Sequence, residues 1–373
     1  MKILGIETSY DPAKSRQVGT AGQVKPRQLI LGIETSCDET AAAVVKVGSE
    51  IEILSNVVAS QIKLHRQYGV VFPELASRTH LENILPTINL ALKKARTNFA
   101  ELEAIAVTVG PGLIGSLLMG VETARTLAYS FKKPLIGINH LEGHLAANFV
   151  DKNLKQIEFP IICLIVSGGH TSLVLMRKLG NYKTIGQTRD DAAGEAFDKV
   201  AQLLGLEYPG GPAIEVAALK SRKLELKIKL PRPMIDSEDF DFSFSGLKTA
   251  VLRLTKELGP KKIQQFRNEI AAEFQQAIVD VLVAKTLKAA QKYQAKTILL
   301  SGGVAANSAL RKKLEAETLN SKANFLMPPK NLCTDNAAMI AVAAALKINT
   351  KSAAQEFNKG WQKISAQSNL ELS

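Results

Sequence analysis

His140 and His144 are the residues of this 373-residue chain with the plainest capacity for chemistry. Residues four apart on a helix share a face, so both imidazoles can reach one cation. A solvated or capped pair has the same spacing, and the pair alone does not decide between the two. Two imidazoles leave a cation short of donors; a third ligand, with one position open for substrate, completes such a centre. The candidate is Asp335, in Cys333-Thr334-Asp335-Asn336-Ala337. At a loop-to-helix junction an Asp that merely caps the helix is the commoner arrangement. Glu142 stands third in the window His140-Leu141-Glu142-Gly143-His144, whereas a zinc protease of the HExxH type carries its general base second. Helical geometry turns Glu142 away from a metal-bound water, which makes peptide hydrolysis a weak reading.

A second feature is the turn Val166-Ser167-Gly168-Gly169-His170 after the apolar run Ile161 to Val166. Glycine N–H groups without Cβ bulk suit an anion or a nucleotide, although Ser-Gly-Gly after a strand is also an ordinary turn. Three of the five histidines fall between His140 and His170, and this clustering is what makes the stretch read as a site. Similar turns recur at Thr35-Ser36, Gly210-Gly211-Pro212 and Ser301-Gly302-Gly303, the last followed by Asn307, which can give or take hydrogen bonds. Recurrence at strand ends and loops that could face one cleft favours a nucleotide. No GxxxxGK[ST] is present, which excludes a P-loop. Asp191, Glu195 and Asp198, spaced four and three, share one face of a helix expected over 191–204. One of them could bond ribose hydroxyls; an ordinary acidic surface has the same spacing.

These residues need elements to hold them. Ile3-Leu4-Gly5-Ile6-Glu7-Thr8-Ser9 recurs letter for letter as Ile30-Leu31-Gly32-Ile33-Glu34-Thr35-Ser36. Only one copy can fill a central strand. The first runs into polar, aperiodic sequence, so residues 1–28 are expected to be a mobile leader, and residues 30–36 the working strand. From there the pattern is three strands, helical stretches from Pro73 to Leu92, a strand over Ala104 to Val109, a helix from about Gly115 to Phe131 and a short strand before His140. A second round opens at Ile161 with three strands. A helix follows over Ala192 to Leu204, then a loop at Tyr208 to Pro212, amphipathic helices over Lys262 to Tyr293, a strand over Thr297 to Leu300 and a helix from Ala305. Two such rounds predict an α/β protein of two lobes with a central ligand cleft. The expected division is 29–138 with 333–349 as lobe I, 139–332 as lobe II and 350–373 as a C-terminal tail, docked or frayed around Trp361.

Composition narrows the function classes. Forty-seven Lys and Arg against 35 Asp and Glu give a net charge of +12, which raises the odds of a polyanionic partner. Residues 220–232 concentrate Lys220, Arg222, Lys223, Lys227, Lys229 and Arg232 against Glu225, as a solvated face or part of a polyanion footprint. A single Trp gives little support to a stacking platform for single strands. Cys37, Cys163 and Cys333 are scattered, which excludes a disulfide framework and points to a reducing compartment. No apolar run approaches a membrane span and the start lacks a signal-like apolar region, so a cytoplasmic protein is expected.

The chain resembles the bacterial tRNA adenosine threonylcarbamoyltransferase (TsaD) family from about residue 30 to 347. The motifs carrying the resemblance are Gly32-Ile33-Glu34-Thr35-Ser36-Cys37-Asp38-Glu39-Thr40, Pro73-Glu74-Leu75-Ala76-Ser77-Arg78, Gly110-Pro111-Gly112-Leu113 and Asn139-His140-Leu141-Glu142-Gly143-His144. They continue through Val166-Ser167-Gly168-Gly169-His170-Thr171, Gly194-Glu195-Ala196-Phe197-Asp198-Lys199, Phe244-Ser245-Gly246-Leu247-Lys248 and Ser301-Gly302-Gly303-Val304-Ala305-Ala306-Asn307. The resemblance implies a duplicated ribonuclease-H-like fold of the actin, Hsp70 and sugar-kinase (ASKHA) superfamily. It implies that His140, His144 and Asp335 bind a divalent metal, iron or zinc. Threonylcarbamoyl-AMP would lie against Ile165, Val166, Ser167, Gly168, Gly169, Asp198, Gly211 and Asn307. Glu34, Ser36, His170, Glu195, Lys199, Gly210, Gly302 and Gly303, in or beside these motifs, are supporting candidates.

The implied reaction moves the threonylcarbamoyl group to the exocyclic amine of the adenosine 3′ to the anticodon, in tRNAs reading codons that begin with adenine, and releases AMP. Implied partners are an inactive paralogue of the same fold, a P-loop ATPase and an upstream threonylcarbamoyl-AMP synthase. The competing functions are a related metal-dependent carbamoyltransferase acting on a small molecule and a non-catalytic assembly subunit. The chain departs from the family at Tyr68-Gly69-Val70-Val71-Phe72-Pro73-Glu74, where the family has a second glycine in place of Val70. If that position needs a positive φ, Val70 strains the loop. The duplicated leader beside the first strand is the other departure, placed where it could disturb the interface with the paralogue.

Overall fold

The computed structural model describes residues 28–48, 50–69, 71–152, 156–221, 228–348 and 360–372. The leader with its copy Ile3 to Ser9, Val70, residues 222–227 of the basic run and the first part of the tail lie outside the described residues.

Two five-stranded sheets organise the chain. The first comprises β1 (Gln28–Glu34), β2 (Glu39–Val47), β3 (Ile51–Ser60), β4 (Leu102–Gly110) and β5 (Leu135–Asn139), in the order β3-β2-β1-β4-β5. Its helices are α1 (Ile62–His65), α2 (Pro73–Ala95) and α3 (Ile114–Phe131), and α4 (His140–Ala146) follows β5 directly. The second sheet holds β6 (Ile161–Val166), β7 (Thr171–Lys178), β8 (Asn181–Gln187), β9 (Thr297–Ser301) and β10 (Asn324–Leu326). Read from β8, its order is β8-β7-β6-β9-β10, the topology of the first sheet repeated. Its helices are α5 (Ala193–Leu203), α6 (Gly210–Leu219), α7 (Ser245–Lys292) and α8 (Ser308–Leu319); α9 (Ala337–Ile348) returns to the first half.

The central strands explain the registry. β1 pairs antiparallel with β2, Ile30 opposite Val45, and parallel with β4, Ile30 opposite Ala104. β6 does the same with β7, Ile162 opposite Leu175, and with β9, Ile162 opposite Ile298. Both are buried almost throughout, as continuous apolar strands covered on two faces must be. The result is the duplicated ribonuclease-H-like, actin-like ATPase fold. Residues of both sheets, α4 and α9 share one apolar cluster that includes Ile30, Leu141, Cys163, Ile165 and Ile340. Helix α9 is apolar all round, rich in alanine and buried, so it can lie between the sheets. At Gly32 a Cβ would overlap the Ala337 carbonyl oxygen, which lets α9 sit directly on β1.

Several elements differ from the sequence reading. The Lys262 helix belongs to a longer run from Ser245, broken at Gly259, whose φ of 70° precedes Pro260. Gly210-Gly211-Pro212, read as loop, forms the first turn of α6, where proline loses no helical hydrogen bond. β10 is a three-residue strand, too short for a periodic signal. The described tail is docked: Gln367 N–H donates to Val109 O at 2.7 Å and Gly112 N–H to Ser368 O at 3.1 Å. Trp361 stands edge-on to Tyr129 with centroids 5.4 Å apart and lies beneath the Arg125 guanidinium.

Candidate metal centre and nucleotide cleft

β5 runs straight into α4, whose N-cap is Asn139: its Oδ1 accepts from Leu141 N–H at 2.9 Å. The cap fixes the first turn and with it His140; His144 stands one turn on, the two ring centroids 4.7 Å apart. Asp335 arrives from the far end of the sequence. The capping role that could have absorbed it is filled by Asn336, whose Oδ1 accepts from Met339 N–H at 3.1 Å. Asp335 is thereby free to point at the histidines: its Oδ1 lies 3.4 Å from His140 Nε2 and 3.2 Å from His144 Nε2. The ligand atoms of the three residues all lie within 4.8 Å of one another. Both ring nitrogens of His144 are buried without a hydrogen-bond partner. A buried imidazole nitrogen without a partner is costly, and a cation bound by two imidazoles and a carboxylate would satisfy Nε2, the one that faces Asp335. The residues fit a divalent metal.

Behind His140 stands Glu34 at the end of β1, fully buried. Its Oε2 lies 3.2 Å from His140 Nδ1 and accepts from Thr108 Oγ1 at 2.5 Å, while Oε1 accepts from Ser36 N–H at 2.5 Å. Ser36 Oγ lies 3.1 Å from the same imidazole nitrogen. A carboxylate on Nδ1 leaves Nε2 to face the ligand position. Burial works to raise the Glu34 carboxyl, but the charge and hydrogen bond of His140 outweigh it and hold it below its ordinary value. Burial likewise works against charge on His140, yet Asp335 and Glu34 on either side push its imidazole well above the usual range. Asp335, which burial alone would raise, is held well below by the two histidines.

His140 and Asp335 line a cavity of about 790 Å³, with His144 buried behind them. It is lined by Ser36 to Glu39 and Pro111 to Leu113 from the first half of the chain, and by Ser167 to His170, Glu195, Asp198, Lys199, Tyr208 and Gly303 from the second. The turn 167–170 closes on itself, Ser167 N–H to His170 O at 2.8 Å and His170 N–H to Ser167 Oγ at 3.1 Å, leaving Gly168 and Gly169 exposed with open space where a Cβ would be. A Cβ on Gly194 would press on Ser167 O at 2.5 Å and Gly168 at 2.8 Å, so the start of α5 is pinned against the turn. His170 is driven down to about 4, first by burial and then by His140 and His144.

Other expected residues are occupied elsewhere. Asn307 caps α8, its Oδ1 accepting from Leu310 N–H at 3.0 Å and its amide donating to Gln275 Oε1 at 2.7 Å, and it is not among the residues lining the cavity. Ile165 and Val166 are buried strand residues, Gly211 lies off the cavity lining, and Gly302 allows the β9 turn to approach the Val166 carbonyl at a φ of 90°. Asp198 faces the cavity, but its Oδ1 accepts from Gly210 N–H at 2.7 Å; burial raises its carboxyl above the ordinary value. Asp191 precedes α5 rather than riding on it, and bridges Lys199 at 2.9 Å and Lys248 at 2.6 Å. Arg232, placed by its sequence in a basic run, is drawn inward to Glu273 and Asp280.

The sequence reading gave no role to Cys37, Asp38, Glu39, Tyr208 or Thr334, all of which line the cavity. The signal was adjacency, since Cys37 to Glu39 leave the strand end directly after Ser36. Glu39 is raised to about 10 by burial and then by Asp38 beside it. The two remaining histidines shape this wall from behind. His80 spans Thr40 Oγ1 at 2.8 Å and Cys37 O at 2.9 Å, and His65 spans Gln61 Oε1 at 3.2 Å and Phe72 N–H at 3.3 Å.

Comparison with known proteins gives these features a context. The family model TsaD, tRNA N6-adenosine threonylcarbamoyltransferase, matches residues 52–342. A relative from Syntrophomonas wolfei bearing that name is 53% identical over 324 residues, covering 87% of this chain and 94% of its own. A Halalkalibacterium halodurans relative of the same name is 48% identical over 326 residues, 87% of this chain and 93% of its own. One from Bacillus cereus is 50% identical over 319 residues, 85% and 91%. Among solved structures, T. kodakarensis HypF aligns with a TM-score of 0.58 at 16% identity, covering 88% of this chain and 49% of that one. The chain thus spans about half of HypF, and the likeness is one of fold.

Proposed function

This chain belongs to the tRNA N6-adenosine threonylcarbamoyltransferase family, and from that premise we propose that the cleft described above carries out a metal-dependent threonylcarbamoyl transfer to tRNA. The observation that carries the metal reading is the convergence of His140, His144 and Asp335 beneath a cavity walled by exposed glycine amides. The donor is threonylcarbamoyl-AMP. The exocyclic amine of the adenosine 3′ to the anticodon attacks the carbamoyl carbon, the bond from that carbon to the phosphate oxygen breaks, the amine loses a proton and AMP leaves. A divalent ion, iron or zinc, would supply Lewis acidity to orient the threonyl group and offset charge on the developing oxyanion.

The protein's own groups do the positioning. Gly168 and Gly169 present amides to the adenylate phosphate, and Lys199, held between Asp191 and Glu195, lines the same cavity. Asp198, one oxygen held by Gly210, turns the other toward the ribose side. Glu34 fixes the His140 ring. Glu142 takes no part in proton transfer, since one oxygen meets Lys347 and the other Tyr182. The adenylate is already activated, so no Ser/His/Asp triad is required. The +12 charge suits tRNA.

Partners in this reading are tRNA, an inactive paralogue of the same fold, a P-loop ATPase and an upstream synthase. Among the described residues no helix is long and apolar enough to cross a membrane; the cytoplasmic setting is part of this reading. The test supplies threonine, bicarbonate, ATP, synthase, accessory proteins and an ANN-decoding tRNA, then looks for threonylcarbamoyladenosine in the digested tRNA. Product with wild type and none with His144→Ala is expected; product undiminished in His144→Ala overturns the metal reading.

A further inference from the structure

Glu142 sits between the two histidines, about 200° round the helix from His140 at 100° per residue. It therefore cannot reach the point where the imidazoles converge. Its side chain is nonetheless only 7% exposed, and a buried carboxylate needs a partner. Oε2 lies 2.7 Å from Lys347 Nζ, and Oε1 accepts from Tyr182 OH at 3.3 Å. Lys347 is in the last turn of α9, the helix whose N-terminal approach carries Asp335. Tyr182 is on β8, in the other sheet. One carboxylate thus ties the histidine helix to the aspartate helix and to the second half of the molecule.

The packing beneath this ion pair makes the tie matter. α4 and α9 approach closely at Gly143, where a Cβ would come within 2.7 Å of Ile340 Cδ1 and 3.2 Å of Met339 Cγ. Packed helices can still shift past one another by an ångström or so, and an ion pair with its carboxylate buried favours one relative setting. A shift of α4 along α9 would alter the His140–Asp335 and His144–Asp335 spacings, 3.4 and 3.2 Å here.

Resting on the metal reading above, we infer that Glu142 is a positioning residue: through Lys347 and Tyr182 it sets α4 against α9 and thereby the geometry of the His140–His144–Asp335 centre. It touches neither substrate nor metal. The short sequence Leu141-Glu142-Gly143 then has a division of labour, with Leu141 in the core, Glu142 for the tie and Gly143 for the close approach.

The test measures Zn²⁺ affinity by chelator competition, the visible absorption of the Co²⁺-loaded protein and the melting temperature of the metal-free protein. The variants are Glu142→Gln, Lys347→Met and the two combined, in the full chain. Glu142→Gln keeps the shape and the acceptor for Tyr182; Lys347→Met, at a residue 28% exposed, serves if the first fails to fold. The expected result is Zn²⁺ binding weakened about 10-fold or more in each single variant, an altered Co²⁺ spectrum, and a double variant no weaker than the worse single one. Single variants that bind Zn²⁺ within about twofold of wild type with an unchanged Co²⁺ spectrum, whatever their melting temperature, overturn the inference. Wild type that binds no Zn²⁺ or Co²⁺ overturns the metal reading itself, a result separable from the other two.

Discussion

Glu34 Oε2 lies 3.2 Å from His140 Nδ1 across 106 residues of sequence, at the end of the central strand of the first sheet. The carboxylate is fully buried and holds three hydrogen-bonding neighbours: Ser36, Thr108 and His140. This is the arrangement in which a carboxylate fixes the tautomer and orientation of a metal-ligating imidazole. Glu34→Gln should therefore weaken Zn²⁺ binding about 10- to 100-fold while the protein still folds. Chelator competition measures it, and affinity equal to wild type would remove Glu34 from the account.

Proton release follows from the same pair. Burial opposes the charge on His140, but Asp335 and Glu34 overcome it and keep the metal-free imidazole protonated above the usual range. A cation must displace that proton, so below the His140 pKa affinity should rise about tenfold per pH unit, with about one proton released per ion bound. Calorimetry in two buffers of different ionisation heat reads the proton count. In Glu34→Gln, with one of the flanking charges gone, the release at neutral pH should be smaller.

His170 gives the opposite sign. Its imidazole is depressed to about 4, chiefly by burial, against an ordinary value near 6.5. The unfolded chain takes up this proton first, so the contribution to stability is complete above pH ~6.5 and is lost as pH falls to about 4. Metal-free His170→Asn should lose about 1–3 kcal/mol less than wild type across that window, measured by urea unfolding at each pH. Parallel curves for the two proteins would contradict it.

Gly194→Ala should act on the nucleotide rather than on the metal. The added methyl would press on Ser167 O and Gly168, both backbone, and so displace the 167–170 turn. We expect KM for the adenylate to rise about tenfold or more, equivalent to ~1.4 kcal/mol, with Zn²⁺ affinity near wild type. An unchanged KM would show that the turn does not bear on the adenylate.

Much of the fold was legible in the sequence because the controlling signals are local. Unbroken apolar runs such as Ile30 to Ile33 and Ile161 to Val166 mark strands covered on both faces, and the turns after them mark strand ends. The four-residue spacing of His140 and His144 already fixed a shared helical face. Elements set by tertiary contact were not legible: β10 has three residues, α6 opens with residues that read as a turn, and Trp361 finds its partners only because the tail comes back onto α3.

For the site, local sequence supplied the donors and their helical pairing, since those depend on backbone geometry alone. It left Asp335 between ligand and helix cap. In the folded chain Asn336 takes the cap and Asp335 comes to the histidines from 191 residues away. In the same way the fold buried Glu34 against His140, drew Arg232 inward to Glu273 and Asp280, and tied Glu142 to Lys347. Each of these pairings joins residues far apart in sequence. Charge, burial and hydrogen bonding across such distances exist only once two sheets have packed around a shared pair of helices.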